Sequence, residues 1–315
     1  MFKKIIFILD DEQAIIDIET LVDELSMYGI EIHIIGLPIR SSNSKSVSAW
    51  FASEIMNTAV SELMNYFTPE LTDCISPEFK DVNIPTLYIT DNPIYHKCLH
   101  DNSLPVIVYL HDNNRDKNFS CAEYAIENID EIEYESLKLA YQRLTGQPWT
   151  ILETDRCIIR ESTVDDVDSF YEIYAEPSIT QYMENLYPDR DEEIAYIKDY
   201  IKNVYAFYGY GMWTVLDKAC KKVIGRAGIN WREGFDIPEL GFVIAVPFQR
   251  QGYAYEICSA IIEYGHKELG FTAFQVLIME ENKISRMLCE KLGFTYVEKV
   301  LLDGIQYDRM VLHIQ

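Results

Sequence analysis

The first half of this chain of 315 residues alternates between short apolar runs and segments with helical spacing. Lys4–Leu9 is an almost continuous apolar run, which is typical of a strand covered on both faces of a sheet. In residues 13–28, apolar side chains recur three or four positions apart, which predicts a helix that ends at Gly29. A second strand is predicted over Ile30–Ile35.

The same alternation continues to about residue 144. A serine-rich loop is followed by a predicted long helix over residues 47–66. The later predicted elements are a strand at Thr86–Thr90, a helix at Ile94–Leu99, a strand at Pro105–Leu110, a short strand at Tyr124–Ile126 and a helix at Glu135–Leu144. Strands that alternate with helices favour an α/β fold with a doubly wound parallel sheet.

Turn residues at 145–150 indicate a boundary between two domains, 1–150 and 151–315. The second domain begins a different pattern, with a predicted strand at Arg156–Arg160 and an acidic helix start at Asp165 and Asp166. The two halves therefore have different folds and are not duplicates of each other.

Residues 239–256 contain the most informative pattern. An apolar strand, Leu240–Val246, is followed by a turn through Gln249–Gly252 and an amphipathic helix, Ala254–Glu268. The first N–H groups of a helix lack acceptors and lie at the positive end of its dipole. We therefore expect this turn to bind a pyrophosphate through its main chain, with Gly252 allowing the anion a close approach.

Several motifs occur in a fixed order in the second half: Gln249-Arg250-Gln251-Gly252-Tyr253-Ala254, then Asn282-Lys-Ile-Ser285, then Glu290-Lys-Leu-Gly-Phe294. They resemble the signatures of the GCN5-related N-acetyltransferases (the GNAT superfamily). Gly252–Glu256 is similar to the Gly-Tyr-Ala-x-Glu of its RimJ/RimL-like branch, and Cys157–Arg160 resembles the opening strand. Residues 209–215 and 224–229 resemble the central hairpin. The resemblance covers about residues 155–315.

The resemblance implies a mixed α/β sheet and acetyl-CoA as the co-substrate. It implies that pantetheine pairs with Phe242, Val243, Ile244 and Ala245, and that the pyrophosphate is held by Gln249, Arg250, Gln251, Gly252, Tyr253 and Ala254. Asn282 and Ser285 are expected to contact the cofactor as well. The implied reaction is direct attack of a primary amine, either a protein N-terminus or a small molecule, on the thioester.

The resemblance also suggests catalytic groups. Glu239 opens the strand at which members place a carboxylate base, although a solvated residue at a strand end is an equal interpretation. Many members have a tyrosine acid where this chain has Cys289, which we expect to pack as a small buried hydrophobe. Ser285 lies four residues earlier on the same helix face and is the expected hydrogen-bond donor to the leaving sulfur.

The acceptor is expected over the end of the sheet. Candidate lining residues are Tyr182, Met183, Tyr187 and Trp213, and aromatic core packing is the competing interpretation for each.

The first half resembles the haloacid dehalogenase (HAD) fold, with Asp10, Glu12 and Asp91 at the positions of its acids. It departs from that family because Glu12 replaces an aspartate and Tyr95 stands where a second late acid belongs. No lysine is clearly placed for the remaining motif, for which Lys80 is only a candidate. We therefore expect a non-catalytic HAD-like domain. The alternatives are a Mg-dependent phosphatase in this half, or a protein that binds CoA as a sensor without catalysis.

The composition of the chain limits the classes of partner that we expect it to bind. The chain has 51 acidic and 27 basic residues and a formal net charge of −24. A field of this sign repels phosphate backbones and anionic lipid, so nucleic acid and membrane surfaces are not expected as direct partners. Seven scattered cysteines without a CxxC pair indicate reduced thiols and a cytoplasmic protein. Histidines 96, 100 and 111 lack a ligand pattern, so no metal is predicted. A homodimer is left open.

Overall fold

The computed structural model describes residues 1–36 and 84–314. It divides into two compact units, Met1–Gln147 (unit 1) and Pro148–Gln315 (unit 2). The predicted helix over 47–66 and the candidate Lys80 lie outside the described residues. Within the described ranges, no helix has both the length and the apolar character that crossing a membrane requires.

Unit 1 consists of short strands and helices in alternation. The strands described are β1 (Lys4–Leu9), β2 (Glu31–Gly36), β3 (Thr86–Thr90), β4 (Val106–Tyr109) and β5 (Ala125–Ile126). The helices described are α1 (Glu12–Asp17), α2 (Glu19–Met27), α3 (Pro93–Asp101) and α4 (Tyr134–Leu144), with a 3-10 turn over Ile129–Glu131.

The strands of unit 1 form a parallel sheet, as predicted. Their order is β2-β1-β3-β4-β5, with every pair parallel. This is the flavodoxin-like order of doubly wound sheets, and the HAD-like assignment stays a prediction. The single helix predicted over 13–28 is two helices that meet at Ile18, which is the C-cap of α1 and the N-cap of α2. Ile18 is buried, so the apolar period runs unbroken across the junction and does not reveal it.

Unit 2 is built around a larger sheet. Its strands are β6 (Thr150–Glu153), β7 (Cys157–Arg160), β8 (Met212–Asp217), β9 (Val223–Asn230), β10 (Glu239–Ile244), β11 (Ala273–Met279), β12 (Thr295–Leu302) and β13 (Ile305–His313). Its helices are α5 (Val167–Tyr174), α6 (Pro177–Thr180), α7 (Arg190–Tyr200), α8 (Ala206–Tyr208), α9 (Tyr253–Lys267) and α10 (Lys283–Lys291). A π-helical segment, Ile201–Tyr205, joins α7 to α8, and 3-10 turns cover Val164–Asp166 and Val246–Phe248.

The strand order in unit 2 is β12-β13-β11-β10-β9-β8-β7-β6. The sheet is mixed, because β10 and β11 are parallel while the other neighbours are antiparallel. The predicted hairpin is confirmed as β8 and β9. Thr150, predicted to lie in a turn, begins β6, an edge strand of four residues that the sequence pattern does not indicate. Four residues are too few for an alternating pattern to stand out.

A buried ion pair connects β7 to the helix that follows it. Asp166 is 3% exposed and accepts from Arg160 Nη1 and Nη2, both at 2.7 Å. It also accepts from the Thr163 N–H at 2.8 Å and the Thr214 hydroxyl at 3.0 Å. Burial alone would raise the pKa of Asp166, but the Arg160 guanidinium outweighs it and the pKa lies below its usual value. The acidic helix start is therefore a structural anchor.

Replacing Asp166 with asparagine should lower the free energy of unfolding by roughly 3 kcal/mol, because Arg160 loses its buried counter-charge. A carboxyl whose pKa is lowered in the folded state stabilises that state at pH values above the pKa of the unfolded chain, about 3.9. The difference in the free energy of unfolding between wild type and variant should therefore be largest at neutral pH. It should vanish as the pH falls through the lower pKa of the folded state. Urea unfolding as a function of pH measures it.

Asp168→Asn is the matched control, since that carboxylate also pairs with an arginine, Arg190 at 2.7 Å, but lies on the surface. It should leave the urea midpoint almost unchanged. Equal effects of the two substitutions would contradict the assignment of Asp166 as the anchor.

Candidate functional site

Strands β10 and β11 diverge shortly after they meet. They are parallel but pair at one register position, Glu239 opposite Gln275. On its other side, β10 pairs with β9 at six positions, from Glu239 to Ile244. Beyond Glu239, the edge of β10 that faces β11 therefore has main-chain groups without a partner strand. Such groups need a hydrogen-bonding partner, which an extended ligand can supply.

Gln275 holds the two strands together where the divergence begins. Its N–H donates to the Pro238 carbonyl at 2.9 Å, and its Nε2 donates to the Ile237 carbonyl at 2.9 Å. Its Oε1 accepts from Arg309 Nε at 2.7 Å. The residue is completely buried. Because both ends of its side-chain amide are used, Gln275 defines the point from which the groove opens.

The turn after β10 has the conformation that the glycine motif predicts. Gly252 has φ of +86° and Arg250 has φ of +58°, both in the left-handed region. Glycine is needed at 252 for this backbone conformation, a reason that adds to the predicted close approach of an anion. The Glu256 N–H makes the first bond of α9, to the Gly252 carbonyl at 3.1 Å. The N–H groups before it lie outside the helical ladder, at the positive end of the dipole.

Arg156 braces this turn, and sequence reasoning did not find it. Its Nε donates to Glu256 Oε2 at 2.7 Å, and its Nη1 donates to the Gln251 carbonyl at 3.0 Å. The guanidinium also lies 4.0 Å from the centroid of the Tyr253 ring. Arg156 and Glu256 are 100 positions apart, so no local pattern could have joined them. The contacts place a positive charge beside the turn.

A cavity of about 920 Å³ connects the turn to the point of divergence. Of the residues predicted from the sequence, it is lined by Glu239, Phe242, Val243, Ile244, Gln249, Arg250, Gly252, Ala254, Asn282 and Ser285. Residues 249–252 are exposed, so the turn is open to ligand. The volume lies in the range of natural ligand pockets.

Three predicted cofactor residues do not line the cavity: Ala245, Gln251 and Tyr253. Ala245 is buried, and the Gln251 Nε2 donates to the Pro247 carbonyl at 2.6 Å. The Tyr253 hydroxyl donates to Asp217 Oδ2 at 2.8 Å. These three side chains are therefore buried or hydrogen-bonded within the protein.

Gln249 lines the cavity, but its side-chain amide is already engaged. Its Nε2 donates to the carbonyl of Ile244, the last residue of β10, at 2.8 Å. The side chain therefore closes the turn onto the strand, and a ligand would meet the main chain of this segment.

Glu239, the predicted base, lies at the point of divergence with 15% of its side chain exposed. Arg232 Nε donates to its Oε2 at 2.6 Å, and Arg232 Nη2 donates to Oε1 at 3.4 Å. Both residues line the cavity. The carboxylate is thus oriented by an ion pair and is not simply a solvated strand end.

The second predicted pair lies on and just before α10. Asn282 caps the helix, with its Oδ1 accepting from the Ser285 N–H at 3.1 Å. Asn282 also lines the cavity, and its amide nitrogen takes no part in the cap. Cys289 is completely buried within the core, and burial raises the pKa of its thiol to about 12. As predicted, Cys289 packs as a small hydrophobe, which leaves Ser285 as the hydroxyl on this wall.

The opposite end of the cavity is lined by residues from α5 to β8. Tyr182, Met183 and Tyr187 line it, which agrees with the lining interpretation of these residues. Trp213 does not. It is completely buried in the core, with its ring 5.8 Å from that of Tyr264. For Trp213 the core-packing interpretation is confirmed, because its β8 position faces the helix that covers the sheet.

In unit 1, Asp91 serves as a structural acceptor at the ends of β1 and β3. It is 1% exposed and accepts from the Asp10 N–H at 2.9 Å and the Asp11 N–H at 3.0 Å. Burial raises the pKa of Asp10, while Glu12 is exposed at the start of α1. Over the two described ranges, no group of three or more His, Cys, Asp or Glu side chains could hold a metal ion.

Comparison with known proteins gives matches to acetyltransferases. The chain is 28% identical over 174 residues to the uncharacterized N-acetyltransferase YoaA of Bacillus subtilis (strain 168), covering 52% of this chain and 96% of the relative. RimL, a ribosomal L7/L12 alpha-N-protein acetyltransferase, matches at 13% identity and a TM-score of 0.47, over 54% of this chain and 97% of that one. The ribosomal-protein-S5-alanine acetyltransferase from Vibrio fischeri matches at 12% identity and a TM-score of 0.45, over 51% and 95%.

The family match falls inside unit 2. Residues 156–295 match the family model described as an acetyltransferase (GNAT) domain. This range includes the diverging strands, the glycine turn and both predicted catalytic residues. Residues 156–295 are therefore an acetyltransferase domain of the GNAT family, which uses acetyl-CoA as its acyl donor.

Proposed function

We propose that unit 2 is an N-acetyltransferase that moves an acetyl group from acetyl-CoA to a primary amine in a ternary complex. The observation that carries this proposal is the cavity that joins the open turn at Gly252 to the gap between β10 and β11. A cofactor with a diphosphate at one end and a thioester at the other needs both features on one surface. The acceptor then enters from the side of Tyr182 and Tyr187.

The cofactor is expected to bind mainly to main chain. The pyrophosphate accepts from the N–H groups between Arg250 and Ala254, at the positive end of α9. The pantetheine arm pairs with the free edge of β10 beside Phe242 and Val243, in place of a neighbouring strand. The Asn282 amide nitrogen donates to the same arm, since its oxygen already caps α10.

Transfer requires one new bond and one broken bond. The amine nitrogen attacks the thioester carbonyl carbon, the carbon–nitrogen bond forms, and the carbon–sulfur bond breaks. The amine proton passes to Glu239, directly or through a water, because that carboxylate borders the cavity at the point of divergence. Arg232 keeps the carboxylate oriented during this step.

The departing sulfur takes up the remaining charge. Ser285 lies on the wall formed by α10, and its hydroxyl can donate a hydrogen bond to the thiolate. The buried Cys289 is the alternative acid, but its position in the core and its raised pKa disfavour that role.

We propose no catalytic role for unit 1. A phosphoryl-transfer site needs metal and basic groups to compensate charge. The carboxylate of Asp91 accepts from the main-chain N–H groups of Asp10 and Asp11, and its Oδ2 lies 3.3 Å from His111 Nε2. This geometry supports the interpretation of a non-catalytic domain.

Replacing Gly252 with alanine should weaken CoA binding by about tenfold or more, because φ of +86° strains any residue with a Cβ and the turn must shift. Isothermal titration calorimetry with CoA measures this effect, alongside thermal unfolding.

Gly270→Ala provides the control for that variant. Gly270 also has a positive φ, +73°, with no atom near the position of an added Cβ. It should lose comparable stability while its CoA affinity stays at the wild-type value. If both variants bind CoA normally, the turn is not the pyrophosphate site.

Glu239→Gln should lower kcat by about 100-fold or more, because a general base contributes on that scale. CoA affinity, measured by calorimetry, should be unchanged. Glu233→Gln is the matched control, since Glu233 is an exposed acid in the loop that precedes β10. Thiol release with an amine panel supplies the rates, and a Glu239→Gln enzyme with full kcat would remove Glu239 as the base.

Ser285→Ala should lower kcat by about tenfold at constant CoA affinity, because a hydrogen bond to a charged leaving group is lost. The same thiol-release assay measures it. If no amine gives thiol release while CoA binds, the non-catalytic sensor becomes the better description.

A further inference from the structure

Arg226 is a buried cation in the wall of the cavity. It lies on β9 opposite Val243 of β10, and 7% of the residue is exposed. Its guanidinium hydrogen-bonds to the Tyr174 hydroxyl, but its Nε has no hydrogen-bond partner, and no carboxylate among the described residues forms an ion pair with it. Since a guanidinium stays protonated in proteins, the cavity wall contains an uncompensated positive charge.

Aromatic rings surround this guanidinium. Its Cζ lies 4.6 Å from the centroid of the Phe170 ring. Tyr174 and Tyr196 line the same side of the cavity, and burial raises the pKa of both phenols, so they stay neutral. A cation–π contact offsets only part of the cost of removing a guanidinium from water. The rings therefore do not replace an anionic partner.

A buried carboxylate lies on the same side. Glu193 of α7 is 1% exposed and lines the cavity. Its Oε2 accepts from the Tyr187 N–H at 3.1 Å, while its Oε1 has no partner. Glu193 and Arg226 do not form an ion pair with each other. Buried charges are normally paired. Because Glu193 and Arg226 each lack a charged partner, they fit a ligand that has one group of each sign.

We propose that the amine acceptor carries a carboxylate that binds to Arg226, which makes it a small molecule of the amino-acid class. This inference rests on the proposed acetyl transfer. The planar donors of a guanidinium match the two oxygens of a carboxylate. The free Oε1 of Glu193 accepts from the acceptor's amine. Because Arg226 lies opposite Val243, a short molecule that contacts it also lies beside the strand where the thioester is expected.

Binding of unreactive probes tests the carboxylate site without requiring turnover. In the presence of CoA, propionate and phenylacetate should raise the melting temperature more than propionamide and phenylacetamide do. Arg226→Met should abolish this difference between acid and amide. Arg190→Met is the matched control, because Arg190 pairs with Asp168 on the surface and does not line the cavity, and it should keep the difference.

Turnover tests the same site in the reaction. Wild type should prefer L-amino acids over their amides by about tenfold or more in kcat/KM, the scale of a charged hydrogen bond. Arg226→Met should lose this preference through KM, with Arg226→Lys retaining part of it because the charge remains.

The outcomes separate the two proposals. Acids and amides that act alike on wild type would overturn the carboxylate acceptor. A lower melting temperature of Arg226→Met without ligand, with the acid preference intact, would make Arg226 a packing residue and would also overturn it. Failure of CoA to bind would overturn the proposed acetyl transfer, while the comparison of probes would still decide on carboxylate binding.

Discussion

The divergence of β10 from β11 is the constraint on which the rest of unit 2 depends. The two strands share a single paired position, Glu239 opposite Gln275, and then separate. Because strands in a sheet normally satisfy each other's main-chain groups, the separation leaves an edge that only a ligand or water can satisfy. Gln275 makes the opening point definite, since its buried amide is hydrogen-bonded at both ends. The groove and the candidate base therefore begin at the same pair of residues.

An anion site in a chain with a formal net charge of −24 has to be local. Main-chain N–H groups at the start of α9 provide one part of it, and Arg156 beside the turn provides a second. Both act at contact distance, whereas the general negative field is screened beyond about 10 Å in salt. Arg156 is itself tied to Glu256, so the charge that supports the turn is also part of its framework.

Acidic residues have different roles in the two units. In unit 1, Asp91 receives main-chain donors and ties the ends of β1 and β3 together. In unit 2, Asp166 is neutralised by Arg160 inside the fold, while Glu239 pairs with Arg232 at the border of the cavity. Glu193 is buried and has an oxygen without a partner, as Asp308 does elsewhere in unit 2, but of these two acids Glu193 is the one that lines the cavity. A carboxylate's role thus depends on its neighbours more than on its position in a motif.

The sequence by itself determined the strand, turn and helix around Gly252, and the hairpin of β8 and β9, because glycine positions and apolar periods act over a few residues. It also identified the family, since several short motifs occur in one order. Only the tertiary structure decided which charges meet: Arg156 with Glu256, Arg232 with Glu239, and Arg226 with neutral aromatic rings. It also put Trp213 in the core and not in the cavity. Burial and ion pairing depend on which distant segments pack together, and local preferences do not encode that.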